Sequence, residues 1–240
     1  MKKIIVILIS SIAYLSCSSN DGNSVTSTSS LKQIITNNGD IINETYTIEY
    51  KFDNDGKVIK EINTNQFFPQ YNSISTFEYD NQGRVIKETR NNEVGTIVVW
   101  NENVATIYST SGNAINYTFS NDKVTEINYT GNGNIHKFNY DENDNVISEV
   151  QADTVFVEYL DYDTTVINPM HLIKSIGVLR MHKNPYFKNF FQTKKVYPYQ
   201  DDDYSTPIQY FQFEKFVDSE NRIIKIDNEE NHYISRFEYN

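Results

Sequence analysis

The residues with the clearest potential for ligand chemistry are a run of carboxylates beside tyrosines in the last quarter of the chain. Asp201, Asp202 and Asp203 are consecutive, and Tyr199 and Tyr204 lie on either side of them. Carboxylates grouped in this way can bind a cation, and tyrosine offers a hydroxyl and a ring face to a polar ligand. A solvated acidic loop explains the same pattern. We therefore treat these five residues as a candidate ligand-binding site and assign them no catalytic role.

Patterns typical of catalysis and metal binding are weak in the rest of the chain. Ser120 and Lys123 fit a Ser-x-x-Lys spacing, but they fall in the turn of a repeated segment described below. The four histidines show no metal-ligand spacing. The stretch that starts at Asp53 begins like a calcium loop, yet no Glu occupies its twelfth position. We predict no catalytic residue, no metal site and no cofactor, and hence a protein that is not an enzyme.

The first residues of the chain predict export. Lys2 and Lys3 precede an apolar run at residues 4–15, which is shorter than the roughly 20 residues that a membrane-spanning helix needs. Its length and charge are those of a secretory signal. Cys17 follows the run and is the only cysteine of the chain. Because a secreted domain with one cysteine cannot form an internal disulfide, this residue needs another explanation.

Residues 13–17 (Ala-Tyr-Leu-Ser-Cys) resemble the lipobox of bacterial lipoproteins, in which the cysteine becomes the lipidated first residue. Tyr14 departs from the usual Leu, Val or Ile. The resemblance implies a signal peptide at 1–16, then a lipid anchor on Cys17 that starts a flexible polar tether at 17–30. Because the residue after Cys17 is Ser and not Asp, the outer membrane is favoured over the inner one. An ordinary secretory signal with an incidental cysteine is the alternative.

Composition restricts the partners of the mature protein. The formal net charge is −11, and removal of Lys2 and Lys3 with the signal makes it −13. This acidity argues against nucleic acid, because phosphate binding requires clustered Lys and Arg. The 18 Tyr and 14 Phe favour strands over helices. Residues 31–240 are long enough to bury the core of a single domain.

A repeat of about twenty residues dominates this domain. Alternating aromatic residues precede Asp, two polar residues, a Gly-like position and a β-branched strand, as at 50–59 and 77–86, and more weakly at 138–147 and 216–224. The Asp can accept hydrogen bonds from the turn backbone, and the Gly-like position predicts positive φ, so each unit is a β-hairpin. The residues that we assign to these turns are Asp53, Gly56, Asp80, Gly83, Asp141, Asp218 and Asn221.

These units resemble the YD repeats of RHS-type proteins, whose signature is Tyr-Asp, two residues, Gly-Arg and an apolar residue. Residues 79–85 match this signature fully, and residues 52–58 match it with Phe and Lys substituted. The chain is also similar to uncharacterised repeat lipoproteins of Gram-negative bacteria. Successive hairpins should pair as an antiparallel meander, and a sheet of more than about 10 strands is expected to curl, so we predict a mostly β fold of repeated hairpins in a curled sheet.

One segment, residues 163–209, lacks the repeat signature and is predicted to be an insertion that covers the aromatic face of the sheet. Asn168 and Pro169 form a helix start, with Asn as N-cap and Pro at the first helical position. We expect a short helix or an irregular segment here. The apolar residues expected to pack this segment against the sheet are Met170, Leu172, Ile173, Ile176, Leu179, Phe187, Phe190 and Phe191.

The leading hypothesis for function is an envelope lipoprotein that acts as a non-enzymatic binding or scaffold module for a protein or glycan partner. The first alternative is a carbohydrate-binding lipoprotein for nutrient capture, which requires exposed aromatic rings. Trp100 is the only tryptophan, but it lies in the aromatic position of the repeat and is expected in the core. The second alternative is a hydrolase with two carboxyl groups roughly 5 to 10 Å apart in one cleft.

Lipidation at Cys17 is directly testable. Cells grown with a clickable palmitate should label the wild-type protein, and Cys17→Ser should abolish the label because the acceptor thiol is lost. Equal labelling of the two proteins would contradict the lipobox assignment.

Overall fold

The computed structural model describes residues 29–38, 43–108, 113–181, 186–198, 206–228 and 233–240. Within these ranges the chain forms 17 strands and two short 3-10 helices. The helices are Pro69–Tyr71 and Pro169–Leu179. The strands are β1 Ser30–Asn38, β2 Asn43–Phe52, β3 Val58–Asn65, β4 Ser73–Tyr79, β5 Val85–Arg90, β6 Glu93–Asn101, β7 Val104–Tyr108, β8 Ala114–Ser120, β9 Lys123–Tyr129, β10 Asn134–Tyr140, β11 Val146–Gln151, β12 Thr154–Ile167, β13 Asn189–Val196, β14 Gln209–Gln212, β15 Glu214–Val217, β16 Ile223–Asn228 and β17 Tyr233–Tyr239.

The strands form an antiparallel meander that closes on itself. Strand β1 pairs with β2 on one side and with β17 on the other. Strand β6 pairs with β5 through its first half and with β7 through its second half. Strands β14 and β15 follow one another with only Phe213 between them, and they pair with β13 and β16 respectively. The result is a nearly closed barrel, which confirms the predicted curled sheet of repeated hairpins.

Four of the hairpins share one turn. The Oδ1 atom of Asp53 accepts the backbone N–H groups of Asp55 and Lys57, at 3.0 and 2.8 Å. The same two bonds recur in the turns of Asp80, Asp141 and Asp218. Residues Gly56, Gly83, Asp144 and Asn221 have φ of 77°, 78°, 68° and 61°. This is the conformation that the repeat predicts for those positions.

A β-bulge follows each of these turns and shifts the strand register by one residue. Phe52 pairs with Val58, whereas Lys51 pairs with Lys60, so Ile59 is the extra residue. Equivalent shifts occur between β4 and β5, β8 and β9, β10 and β11, and β15 and β16. A shift of one residue moves every later side chain to the opposite face. The third residue after the buried valine therefore points into the interior.

An aromatic side chain binds the backbone at each of these bulges. The O–H or N–H group of its ring donates a hydrogen bond to a backbone carbonyl. That carbonyl belongs to the buried β-branched residue at the start of the strand that follows an earlier turn. The pairs are Tyr79 to Val58, Trp100 to Val85, Tyr140 to Val124, Tyr162 to Val146 and Tyr239 to Ile223. Every acceptor residue is at most 2% exposed. Each hairpin is thus bonded to an earlier one by a side chain as well as by the strand ladder.

The segment between β12 and β13 enters the barrel and shares its core. The Oδ1 atom of Asn168 accepts the N–H of Met170 at 2.9 Å and caps the helix, as predicted. The helix consists of 3-10 turns that are interrupted at Ile173 and Ile176, since both residues leave the helical region of φ and ψ. Met170, Ile173 and Ile176 are buried in the same apolar cluster as the strands. The prediction that this segment covers the inner face is correct.

Within the predicted insertion of 163–209, β12 continues to Ile167 and residues 189–196 form β13. These strands lack the turn signature because a long connection joins them and no tight turn is needed. Leu172, expected in the core, is 42% exposed.

Among the described residues, no helix has the length and apolar character needed to cross a membrane.

Replacement of Gly56 tests the turn. A Cβ atom there would meet no atom within 4 Å, so only the backbone conformation opposes a larger residue. Gly56→Val should lower the free energy of unfolding by about 1 to 2 kcal/mol, because a Cβ in the left-handed region clashes with the following carbonyl. Gly56→Asn, the matched control, should be much milder. Urea melts in which both variants are equally stable would contradict the turn.

Candidate functional site

The interior of the barrel contains a cavity of about 1030 Å³. On β3, β5 and β16 its lining residues come from the strand ends that lie away from the Asp turns. Arg180, which follows the helix Pro169–Leu179, and Phe190 at the start of β13 also contribute to the lining. Tyr71 lines the cavity and is 70% exposed, so the cavity reaches the protein surface.

A buried ion cluster lies at one side of this cavity. Arg180 donates from Nε to Glu61 Oε2 at 2.8 Å and from Nη2 to Glu88 Oε1 at 2.9 Å. The three side chains are 5%, 2% and 3% exposed. Glu88 Oε1 also accepts from Ser75 Oγ at 2.7 Å and from Arg90 Nη2 at 3.0 Å. The cluster joins the end of the helix to β3 and β5.

Arg180 keeps Glu88 ionised. Burial by itself raises the pKa of the Glu88 carboxyl, but the hydrogen bond and charge of Arg180, helped by Ser75 and Arg90, outweigh burial and lower the pKa to about 2. Burial lowers the pKa of Arg180, but its bonds to Glu61 and Glu88 raise it overall. A carboxylate held in this state at neutral pH cannot act as a general acid, which must carry a proton.

A second part of the wall is polar and incompletely bonded. Gln33, on β1, is 6% exposed and donates from Nε2 to Ser235 Oγ on β17 at 2.8 Å. Its Oε1 atom is buried, and none of the described residues forms a hydrogen bond with it. Asn228, from the neighbouring β16, also lines the cavity and donates to the carbonyl of Gln212 at 3.0 Å. Buried polar atoms are nearly always paired, so this acceptor is an unusual feature of the wall, but it is buried too deeply for a group in the cavity to contact it.

A third part of the wall is aromatic. Phe190 and Phe191 lie with ring centroids 6.1 Å apart and planes 9° from parallel. Phe211 and Phe213 form a similar pair on the neighbouring segment, at 6.4 Å and 18°. All four residues line the cavity, and Phe211 and Phe213 are only half-buried. This wall therefore offers flat apolar surface beside polar groups, the combination typical of small-molecule sites.

The structure does not describe the residues that the sequence predicts to bind a ligand. Asp201, Asp202, Asp203, Tyr199 and Tyr204 lie outside the described residues. So does the predicted lipidation site, Cys17.

Other residues singled out in the sequence have structural surroundings. Lys123 of the Ser-x-x-Lys pattern bonds Asp144 in a neighbouring turn at 2.6 Å. Trp100 is half-buried, and its indole N–H bonds the Val85 carbonyl at 2.8 Å. Within the ranges that the structure describes, no group of three or more His, Cys, Asp or Glu could hold a metal ion.

Sequence reasoning missed the residues that line the cavity, although one signal was available. The tetrapeptide Val-Ile-Lys-Glu occurs twice, at 58–61 and 85–88, in the two clearest repeats. Plain alternation from the buried valine would place both glutamates outside. The bulge places Glu61 and Glu88 inside. Arg180 is separated from them by more than ninety positions in the chain, and no local pattern connects them.

The ion cluster makes a prediction about stability. Arg180→Met should destabilise the fold by about 3 to 5 kcal/mol, because two buried carboxylates lose their shared cation. Arg90→Met is the matched control and should cost far less, since Arg90 is half-exposed and its removal leaves the bonds of Arg180 in place. Equal urea midpoints for the two variants would contradict the central role of Arg180.

The same cluster predicts a pH dependence. The pKa of Glu88 is lowered from 4.5 to about 2 in the folded protein, so its stabilising effect is complete above pH 4.5 and is lost as the pH falls towards 2. Urea melts between these values should show wild-type stability falling more steeply than that of Glu88→Gln. Parallel curves would contradict the assignment.

No family model and no curated protein matches this chain. Its fold does match solved structures. A porin-like protein from Bacteroides uniformis ATCC 8492 is 12% identical, with a TM-score of 0.59 over 89% of this chain and 97% of that chain. A porin-like protein from Bacteroides vulgatus ATCC 8482 is also 12% identical, with a TM-score of 0.38 over 86% and 97%. The first comparison shows that the closed antiparallel sheet is a fold shared with another bacterial protein.

Proposed function

We propose that this chain is a lipid-anchored protein of the cell envelope that binds a small ligand inside its barrel. The observation that carries the proposal is the surface-connected cavity, which is lined by aromatic rings and by polar side chains such as Tyr46, Asn65 and Gln33. Pockets that bind small molecules usually measure roughly 300 to 1,000 Å³, so this cavity of about 1030 Å³ lies at the upper limit of that range.

Charged groups on the outer face of the barrel support a domain that lies in water beside a membrane. Outward positions carry ion pairs, such as Lys32 with Glu238 at 2.7 Å and Lys87 with Glu78 at 2.6 Å. Apolar residues of the same strands, such as Leu31, Phe77 and Phe237, point inward to the core, whereas Ile74 on β4 is 46% exposed. Lipid on Cys17 and the polar tether would hold such a body near the outer membrane. A neighbour in fold that is described as porin-like is in keeping with an envelope location.

Binding without catalysis is the simplest chemistry for this cavity. Glu61 and Glu88 are the paired carboxylates that a hydrolase would need, but both are bonded to Arg180. Glycoside hydrolysis requires one carboxyl group with a raised pKa, whereas that of Glu88 is lowered. The cluster therefore suits a structural role in the cavity wall better than proton transfer.

A cavity-filling substitution tests the proposal. Ser73 is half-buried, lines the cavity and begins β4, so Ser73→Trp should occupy the space and prevent binding. Thr76→Trp is the matched control, because Thr76 is exposed on the same strand. Native mass spectrometry would use four probes of different chemistry: maltotriose, trigalacturonate, dodecanoate and trialanine. We expect one-to-one binding of at least one probe by the wild type and Thr76→Trp, and none by Ser73→Trp.

Two results would overturn this function. Either no probe binds the wild type, or Ser73→Trp binds the same probe as well as Thr76→Trp does. Melting temperatures of all three proteins would show that the comparison is made on folded samples.

A further inference from the structure

We infer that the ligand of this cavity is a molecule dissolved in water and not a lipid taken from the anchoring membrane, an inference that rests on the proposed function. The reason is the arrangement of the two ends of the barrel. The cavity opens at one end, whereas the chain enters the barrel at the other end.

The mouth of the cavity lies at the end of the barrel away from the Asp turns. Among the described residues that line the cavity, the exposed ones are Thr64, Tyr71 and Arg90. Thr64 lies near the end of β3, Tyr71 in the connection from β3 to β4, and Arg90 at the end of β5. Because β3 and β5 both begin after Asp turns, their ends lie at the opposite end of the barrel. A ligand therefore reaches the cavity from this end.

The end with the Asp turns is closed by packed side chains. The β-branched residues that follow its turns are at most 2% exposed, and they are Val58, Val85, Val124, Val146 and Ile223. Ile173 and Ile176, from the helix between β12 and β13, are buried in the same cluster. None of these seven side chains lines the cavity. The described part of the chain thus forms a cavity with a floor and not a channel through the barrel.

The chain enters the barrel at this closed end. Ser30 begins β1 beside the first Asp turn, since it pairs with Lys51. The carbonyl of Ser29 accepts the N–H of Phe52 at 3.1 Å, and Ser30 exchanges two backbone bonds with Asn240, at 2.7 and 3.0 Å. The predicted lipid tether therefore joins the barrel opposite the mouth.

The predicted tether is short compared with the barrel. A polar coil with the length of residues 17–30 has a root-mean-square end-to-end distance of roughly 20 Å. Strand β2 has 10 residues and is therefore roughly 33 Å long, or roughly 25 Å along the axis of a barrel whose strands tilt by about 40°. To place the mouth on the membrane, the tether would have to stretch beyond its average length and run along the whole barrel. The membrane therefore lies beside the closed end.

The rim of the mouth is polar, which also suits entry from water. Thr64, Asn65 and Ser73 line the cavity there, and Arg90 adds a half-exposed guanidinium group. A lipid that leaves a bilayer would require this rim to contact hydrocarbon. The transfer of polar and charged groups out of water costs free energy. A dissolved ligand meets no such cost.

Fluorescence quenching measures which end of the barrel faces the membrane. The lipidated protein is bound to phosphatidylcholine vesicles with nitroxide-labelled headgroups, and a bimane label is attached to Asp55→Cys or to Tyr71→Cys. The Asp55 side chain is 76% exposed in a turn of the closed end, and Tyr71 is 70% exposed at the mouth. We expect the label on Asp55→Cys to lose most of its fluorescence and the label on Tyr71→Cys to lose little.

Equal or stronger quenching at the mouth would overturn the inference. Phe67→Cys provides a second label at the mouth if Tyr71→Cys fails to fold, because Phe67 is 52% exposed in the same connection. A wild-type protein that does not float with the vesicles would refute the anchor and the inference with it.

Binding by the vesicle-bound protein tests the ligand class. The water-soluble probes are maltotriose, trigalacturonate and trialanine, and the lipid probes are dodecanoate and the phosphatidylcholine of the vesicles. Native mass spectrometry of the recovered protein should show one-to-one binding of at least one water-soluble probe and no bound lipid. Ser73→Trp should abolish the binding and Thr76→Trp should retain it.

The failures of the two proposals are distinguishable. If a lipid probe is bound by the wild type and lost in Ser73→Trp, the ligand class is wrong and the binding function stands. If no probe of either class binds the wild type, the binding function is wrong and the ligand class falls with it.

Discussion

The architecture depends on the hydrogen bond that an aromatic side chain makes to the carbonyl beside each bulge. A bulge disrupts the strand ladder locally, and a buried carbonyl must find a donor. Tyr79 supplies it to Val58, and Trp100, Tyr140, Tyr162 and Tyr239 do the same elsewhere. Bulges also bend strands and increase their twist, which allows so many strands to curl until β1 meets β17. The bond explains why Tyr79 and Tyr140 directly precede Asp80 and Asp141, whereas Phe52 and Val217, before the other two turns, carry no such donor.

The bulge also explains why some features of the structure were predictable from the sequence and others were not. The Asp turns and the strands around them are local, and a few residues such as Asp80 and Gly83 specify them. Side-chain orientation after the turn is not local, because the bulge reverses the alternation. Glu61 and Glu88 consequently read as outward residues although they are buried. The repeated Val-Ile-Lys-Glu gives the position of these residues in the repeat, but only the strand pairing gives their direction.

Closure of the sheet creates an interior that its own side chains do not fill. Barrels widen as strands are added, and those of 16 to 18 strands commonly leave a channel. Here the segment between β12 and β13 occupies part of that space. Its helix start at Asn168 and Pro169 was predictable from capping chemistry. The strand at 189–196 was not, because it pairs with β12 across a long connection and no local turn signature marks it.

The ion cluster determines how far the inserted segment fills the barrel. Exchanging such a cluster for apolar residues is often neutral or stabilising, so its value here lies in position. Arg180 follows the last helical turn, and its two carboxylate partners on β3 and β5 fix where the helix ends. Beyond that point the described residues line the cavity of about 1030 Å³. Because the charges of the cluster satisfy one another, the rest of the cavity wall, among the described residues, consists of uncharged groups such as the amide of Gln33 and the rings of Phe211 and Phe213.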